Sequence, residues 1–220
     1  MAAYEDSKAS HALEAKSGQA GAPSGLAGIV TGMLMRWLNA EMNRIAALIV
    51  APESGERVLD IGFGPGHLIE MLAERRPALV AGIDHSATML ERAQRRNAHA
   101  LKEGRIELKL GSVARMPWPD GNFDKIVAVN SFQFWPDPAR DLLEVRRALK
   151  PGGLLLIVIR GRKAKSNSKF AGADRGEQYL ARALEQLPLA RFVDIAHETR
   201  DAWPYPAICV RARKPITDAR

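Results

Sequence analysis

A chain of 220 residues, 46% hydrophobic and 26% charged, is long enough for one well-buried domain with a small appendage and too short for two full domains. Its net charge of +7 raises nucleic acid or an anionic membrane as partners, but the arginines are spread over helical segments without interleaved aromatics. That pattern reads as a solvated basic surface, with no sequence-specific nucleic-acid contact. A single cysteine, Cys209, excludes an internal disulfide, and no apolar stretch reaches the roughly 20 residues of a bilayer span. Residues 1–28 carry no signal-type apolar core, so a cytoplasmic location is expected.

In chain order, residues 1–27 read as a flexible segment, and 28–52 as a helix with Met33, Trp37, Met42, Ile45 and Ile49 at three- and four-residue steps. Residues 53–215 then alternate strand and helix patterns, which demands parallel strands with helices on both faces. Leu68, Ile69 and Leu72 mark the core face of one helix, and Met89, Leu90, Ala93 and Leu101 that of the next. Pro138 opens another, closed by Lys150-Pro151-Gly152-Gly153. The run Leu154 to Ile159 is apolar throughout, as in a strand buried on both faces. A helix near Gly176 to Leu187 and two strands, Arg191 to Thr199 and Ala207 to Arg213, complete the pattern, the last pair as a hairpin.

The most informative run is Val58-Leu59-Asp60-Ile61-Gly62-Phe63-Gly64-Pro65-Gly66, an apolar strand followed by three alternating glycines and a helix. Glycine serves where the backbone turns to positive φ or a ligand lies against the main chain. A dinucleotide fingerprint would place its third glycine at position 67, which is His67, and Pro65 has no N–H for a phosphate oxygen. The turn therefore favours a phosphate-free adenosine ligand. A second apolar strand, Val80-Ala81-Gly82-Ile83-Asp84, ends in an acid able to take both ribose hydroxyls.

These motifs, taken in order over roughly residues 56 to 160, resemble the class I S-adenosylmethionine-dependent methyltransferases of small-molecule type. The resemblance implies a Rossmann-like doubly wound sheet of about seven strands, mostly parallel with an antiparallel last strand, under an N-terminal helical lid. It also implies S-adenosylmethionine as methyl donor and S-adenosylhomocysteine as product. Cofactor contacts are expected from Asp60, Gly62, Phe63, Gly64, Gly66, His67, Asp84, His85 and Met89. Further ones are expected from Gly111, Ser112 and Val113, where many relatives carry Gly-Asp-Ala, and from Asn130, Ser131 and Phe132 after the fourth strand. The hydroxyl of Ser112 replaces the acid that bonds the adenine amino group in those relatives.

Met33, Trp37, Trp135 and Arg160 are the expected acceptor contacts, and Phe132 or Trp135 is expected to face the ligand. No metal site and no catalytic base are read, since a base is needed only if the acceptor must lose a proton first. The leading function is methyl transfer to a small molecule, with acceptor atom and oligomeric state open. The cluster Arg160, Arg162, Lys163, Lys165 and Lys169 beside an apolar helix keeps a phospholipid-directed enzyme at an anionic membrane as the alternative. A non-catalytic cofactor-binding protein is the other.

Overall fold

The structure, a computed structural model, describes residues 39–161 and 175–217. A helix over 39–50 (α1) leads into β1 (Arg57–Ile61), α2 (His67–Ala73), β2 (Leu79–Asp84), α3 (Ala87–Arg96), α4 (Ala98–Lys102) and β3 (Ile106–Leu110). There follow β4 (Phe123–Val129), a single 3-10 turn (Phe132–Phe134), α5 (Pro138–Ala148), β5 (Leu149–Arg160), α6 (Arg175–Leu189), β6 (Val193–Arg200) and β7 (Ala207–Arg213). The seven strands form one sheet in the order β3-β2-β1-β4-β5-β7-β6. All neighbours pair in parallel except β7, which runs antiparallel to both β5 and β6. The sheet is the one expected, including the terminal hairpin; residues 28–38 of the expected lid lie outside the described residues.

Alternating strand residues point to opposite faces, and each face has its own core. Leu59, Ile61, Ile126, Leu155 and Ile157 pack with Leu142 and Val145 of α5 and Leu187 of α6. On the other face Val58, Val80, Val127, Leu156 and Val158 meet Met42, Ile45, Ala46 and Val50 of α1 and Ile69 and Leu72 of α2. Each of these Val, Leu, Ile and Met side chains contributes about 1.5–3 kcal/mol by leaving water. Cys209 sits in the second core as a packing residue. Met42, 1% exposed, is core as well, so residues 39–50 dock on the sheet.

Local chemistry sets the helix ends. Ser86 Oγ accepts from Met89 N–H to start α3, and the Asp137 carboxylate accepts from Arg140 N–H to start α5, with Pro138 in the first turn. One expectation is corrected: the single helix read from Met89 to Leu101 is two. Buried Asn97 stands between α3 and α4, and its Nδ2 donates to Gly66 O at 3.2 Å and Ala93 O at 2.9 Å. A side-chain amide that satisfies those carbonyls holds the break open. The flexible segment read for residues 1–27 and the basic residues Arg162, Lys163, Lys165 and Lys169 lie outside the described residues.

Candidate functional site

The parallel strands β1, β2, β3 and β4 release their loops at one edge of the sheet, where strand order reverses between β1 and β4. Open α/β sheets bind ligands at that switch point. A cleft of about 640 Å³ opens there.

Two carboxylates reach this edge. Asp84, the last residue of β2, is 6% exposed; its Oδ2 accepts from Gly64 N–H at 2.8 Å and its Oδ1 from Ser86 N–H at 2.9 Å. The glycine turn and the α3 N-terminus thus hold the carboxylate in one orientation. Two of its roughly four lone-pair positions are taken, and the others are left for a ligand. Asp60 is 2% exposed, and burial, reinforced by the negative charge of Asp84, pushes its carboxyl up to about 8.

The glycines divide by role. Gly62, at φ +75, is crowded: a Cβ there would lie 2.5 Å from Ser131 Cβ. Ser131 Oγ donates to Ile61 O at 2.6 Å, so the ends of β1 and β4 are sealed together. Gly64, at φ +52, has no atom within 4 Å of a built Cβ and leaves its backbone open to close approach. Gly66, at φ +80, serves helix packing instead: its Cβ would meet Asn97 Nδ2 at 2.7 Å and Ala93 Cβ at 2.8 Å.

Of the expected cofactor residues, Gly62, Asp84, His85, Met89, Gly111, Ser112, Val113, Asn130 and Ser131 line the cleft. Asp60, Phe63, Gly64, Gly66 and His67 are not among its lining residues, although Gly64 reaches it through Asp84. Phe63 is 5% exposed and takes the space over Gly82, where a Cβ would lie 2.6 Å from its ring. The placement of Phe132 is corrected too. It is fully buried in the core, ring centroid 5.2 Å from Trp135, because the 3-10 turn directs it inward. Phe134, two residues on, is 75% exposed and lines the cleft with Trp135 and Pro136. Phe134, Pro136, Ile61, Ile83 and Ser86 are the lining residues that sequence reasoning missed. A strand-like alternation would have put Phe134 on the same side as Phe132, so no local pattern signalled the first of them. Met33 and Trp37 lie outside the described residues.

Asn130 ties the cleft to its surroundings. At φ +49, its Nδ2 donates to Asn39 Oδ1 at 2.9 Å and Met42 Sδ at 3.0 Å, and its Oδ1 accepts from Arg160 N–H at 3.0 Å. Arg160 itself is half-buried outside the lining, its guanidinium 5.1 Å from the Tyr205 ring centroid. Ser112 Oγ accepts from Ala114 N–H at 3.3 Å, so this hydroxyl also serves its own turn.

A family model described as a methyltransferase domain matches residues 59–157, the span that builds this cleft. Over this span the chain carries a methyltransferase domain and is similar to the S-adenosylmethionine-dependent methyltransferases. Among its methyltransferase relatives, the uncharacterized methyltransferase YdaC of Bacillus subtilis is 29% identical over 86% of this chain and 100% of its own length. The demethylmenaquinone methyltransferase of Thermotoga maritima is 35% identical over 58% of this chain and 51% of its own. The 27-O-demethylrifamycin SV methyltransferase of Amycolatopsis mediterranei is 31% identical over 52% and 42%. The chain thus spans about half the length of the relatives named for an acceptor. Among solved structures, the cyclase SpnF shares the fold at a TM-score of 0.65 with 21% identity, covering 81% of this chain and 82% of its own. A phosphoethanolamine N-methyltransferase of Haemonchus contortus crystallised with S-adenosylhomocysteine does so at 0.64 and 22%, covering 79% and 52%. The methyltransferase cofactor is S-adenosylmethionine, and the cleft is of a chemistry that fits it: a preset carboxylate, an open glycine backbone and an apolar wall of Ile83, Met89 and Val113.

Proposed function

We propose that this chain is a cytoplasmic enzyme that methylates a small molecule at the carboxyl edge of its sheet. The observation that carries the reading is Asp84, held by Gly64 and Ser86 on the wall of a cleft of about 640 Å³. Its free lone pairs suit the two ribose hydroxyls of the cofactor. Met89, Ile83 and Val113 would pack on the adenine, Ser112 would meet its amino group, and Asn130 and Ser131 would border the methionine end.

When bound, S-adenosylmethionine supplies a methyl carbon activated by positive sulfur, open to in-line displacement by the acceptor. The protein's part is alignment and exclusion of water. Phe134, Trp135 and Pro136 form the wall suited to that task. The titratable lining residues are Asp84 and His85, both on the ribose side, so no side chain is assigned as base. The acceptor atom is expected to be nucleophilic as it arrives or to lose its proton to water.

The relatives named for demethylmenaquinone and demethylrifamycin support a small-molecule acceptor. No helix among the described residues is long and apolar enough to cross a membrane, and the single thiol Cys209 needs no oxidising compartment. The test is methyl transfer from radiolabelled S-adenosylmethionine into a cell extract fractionated into metabolites, lipids, RNA and protein. Label in the metabolite fraction, absent with Asp84→Ala, is the expected result. Label in lipid would establish the membrane-directed alternative, and none above the variant would leave a binding protein.

A further inference from the structure

The register of the last three strands puts a second set of groups at the same edge as the cleft. Arg160 closes β5 opposite Ala207, and Ala207 pairs in turn with Arg200 at the end of β6. Because β5 runs parallel to β4, the turn 201–206 rises from the carboxyl edge where Asn130 lines the cleft. That turn carries Tyr205, half-buried, and Trp203, 62% exposed. Phe134 and Trp203 are the most exposed aromatic side chains among the described residues, and both stand at this edge.

The guanidinium of Arg160 rests on the Tyr205 face, 5.1 Å from its centroid, while its backbone N–H is bonded to Asn130. A guanidinium stacked on a ring keeps its edge donors free, in a planar fork that matches a carboxylate or phosphate. Several other arginines of the chain are engaged by acids: Arg147 by Asp120 and Glu144, Arg96 by Glu70 and Arg200 by Glu198. Among the described residues no carboxylate pairs with Arg160. It is a cation positioned by packing, one hydrogen bond from the cleft wall.

We propose that Arg160, supported by Tyr205, recognises an oxyanion of the acceptor, so the substrate joins an apolar or aromatic body to a carboxylate or phosphate. This rests on the methyltransferase reading of the cleft above. Held there, the anion would fix the acceptor at the β4–β5 side, with its body toward the aromatic wall.

The test is calorimetric titration of the S-adenosylhomocysteine-loaded protein with salicylate, phenyl phosphate and neutral benzyl alcohol. At least one anion is expected to bind about tenfold or more tighter than benzyl alcohol. The anion preferred tells carboxylate from phosphate. Arg160→Met, which keeps the stem on Tyr205, should weaken that anion about tenfold, Arg160→Lys less and Tyr205→Leu severalfold. Affinity for S-adenosylhomocysteine should stay within about twofold in all three variants, since Arg160 lies outside the lining. Anions binding no tighter than benzyl alcohol, or as tightly to Arg160→Met as to the wild type, would overturn the inference alone. Failure of the wild type to bind S-adenosylhomocysteine would overturn the underlying reading. The comparison of anion with neutral probe needs no variant and so survives any folding defect.

Discussion

Gly64 and Asp84 belong to different βα turns and meet through one hydrogen bond, from Gly64 N–H to Asp84 Oδ2 at 2.8 Å. With Ser86 N–H on Oδ1, it converts a strand-end acid into an oriented acceptor pair. Asp84→Ala is expected to weaken S-adenosylhomocysteine binding by about 10- to 100-fold, the range for losing charged hydrogen bonds. Titration calorimetry measures it, and an unchanged affinity would remove Asp84 from the site.

The alternating glycines should respond unequally to a methyl group. Gly62→Ala meets both a left-handed backbone and Ser131 Cβ at 2.5 Å, whereas Gly64→Ala meets only the left-handed backbone. Positive φ costs about 1–2 kcal/mol and overpacking about 1–3 more. Thermal melts should place Gly62→Ala well below Gly64→Ala in Tm. Equal melting temperatures would show that Ser131 yields freely.

Asp60 should make stability fall as pH rises. Its folded pKa of about 8 lies above the unfolded 3.8, so across that window the folded state binds more protons than the unfolded state. The stabilisation is fully present below the unfolded value and is lost as pH rises through the folded one. The slope is at most about 1.4 kcal/mol per pH unit for one proton. Asp141 is shifted up by burial and contributes in the same sense. Asp124 and Glu144, lowered by Lys150 and Arg147, titrate below this range. Melting between pH 5 and 8 should show Tm declining in the wild type and less steeply in Asp60→Asn. Parallel profiles would mean that Asp60 is ionised in the fold.

Asn130→Ala strips three partners at once: Asn39, Met42 and the Arg160 N–H. Leaving a part-buried N–H unpaired costs about 1–3 kcal/mol. The expected result is a lower Tm together with weaker S-adenosylhomocysteine binding, because Asn130 also lines the cleft. A lower Tm with unchanged binding would confine Asn130 to a structural role.

The sheet, its helices and most of the cleft were legible because they rest on local periodicity and on residues adjacent in sequence. Asp84 was readable as a strand-end acid, and Ser86 as a cap, without knowing what either touches. Other assignments depended on neighbours distant in the chain. Gly66 and Phe63 carry the motif's pattern, yet Asn97, Ala93 and Gly82 decide that both are packing residues. Likewise Phe132 and Phe134 are chemically alike two positions apart, and only the 3-10 turn assigns one to the core and the other to the cleft.

By itself, then, the sequence determined the alternating fold, the glycine turn with its spacing, and Asp84 at the end of the second strand, since backbone geometry and hydrophobic period are written within a few residues. The tertiary structure decided what a given side chain faces. It brought Asn39, Met42 and Arg160 onto Asn130, Ser131 onto Gly62, and Tyr205 under Arg160. Those contacts join residues up to 91 positions apart. They arise from strand order and register, which no local pattern encodes.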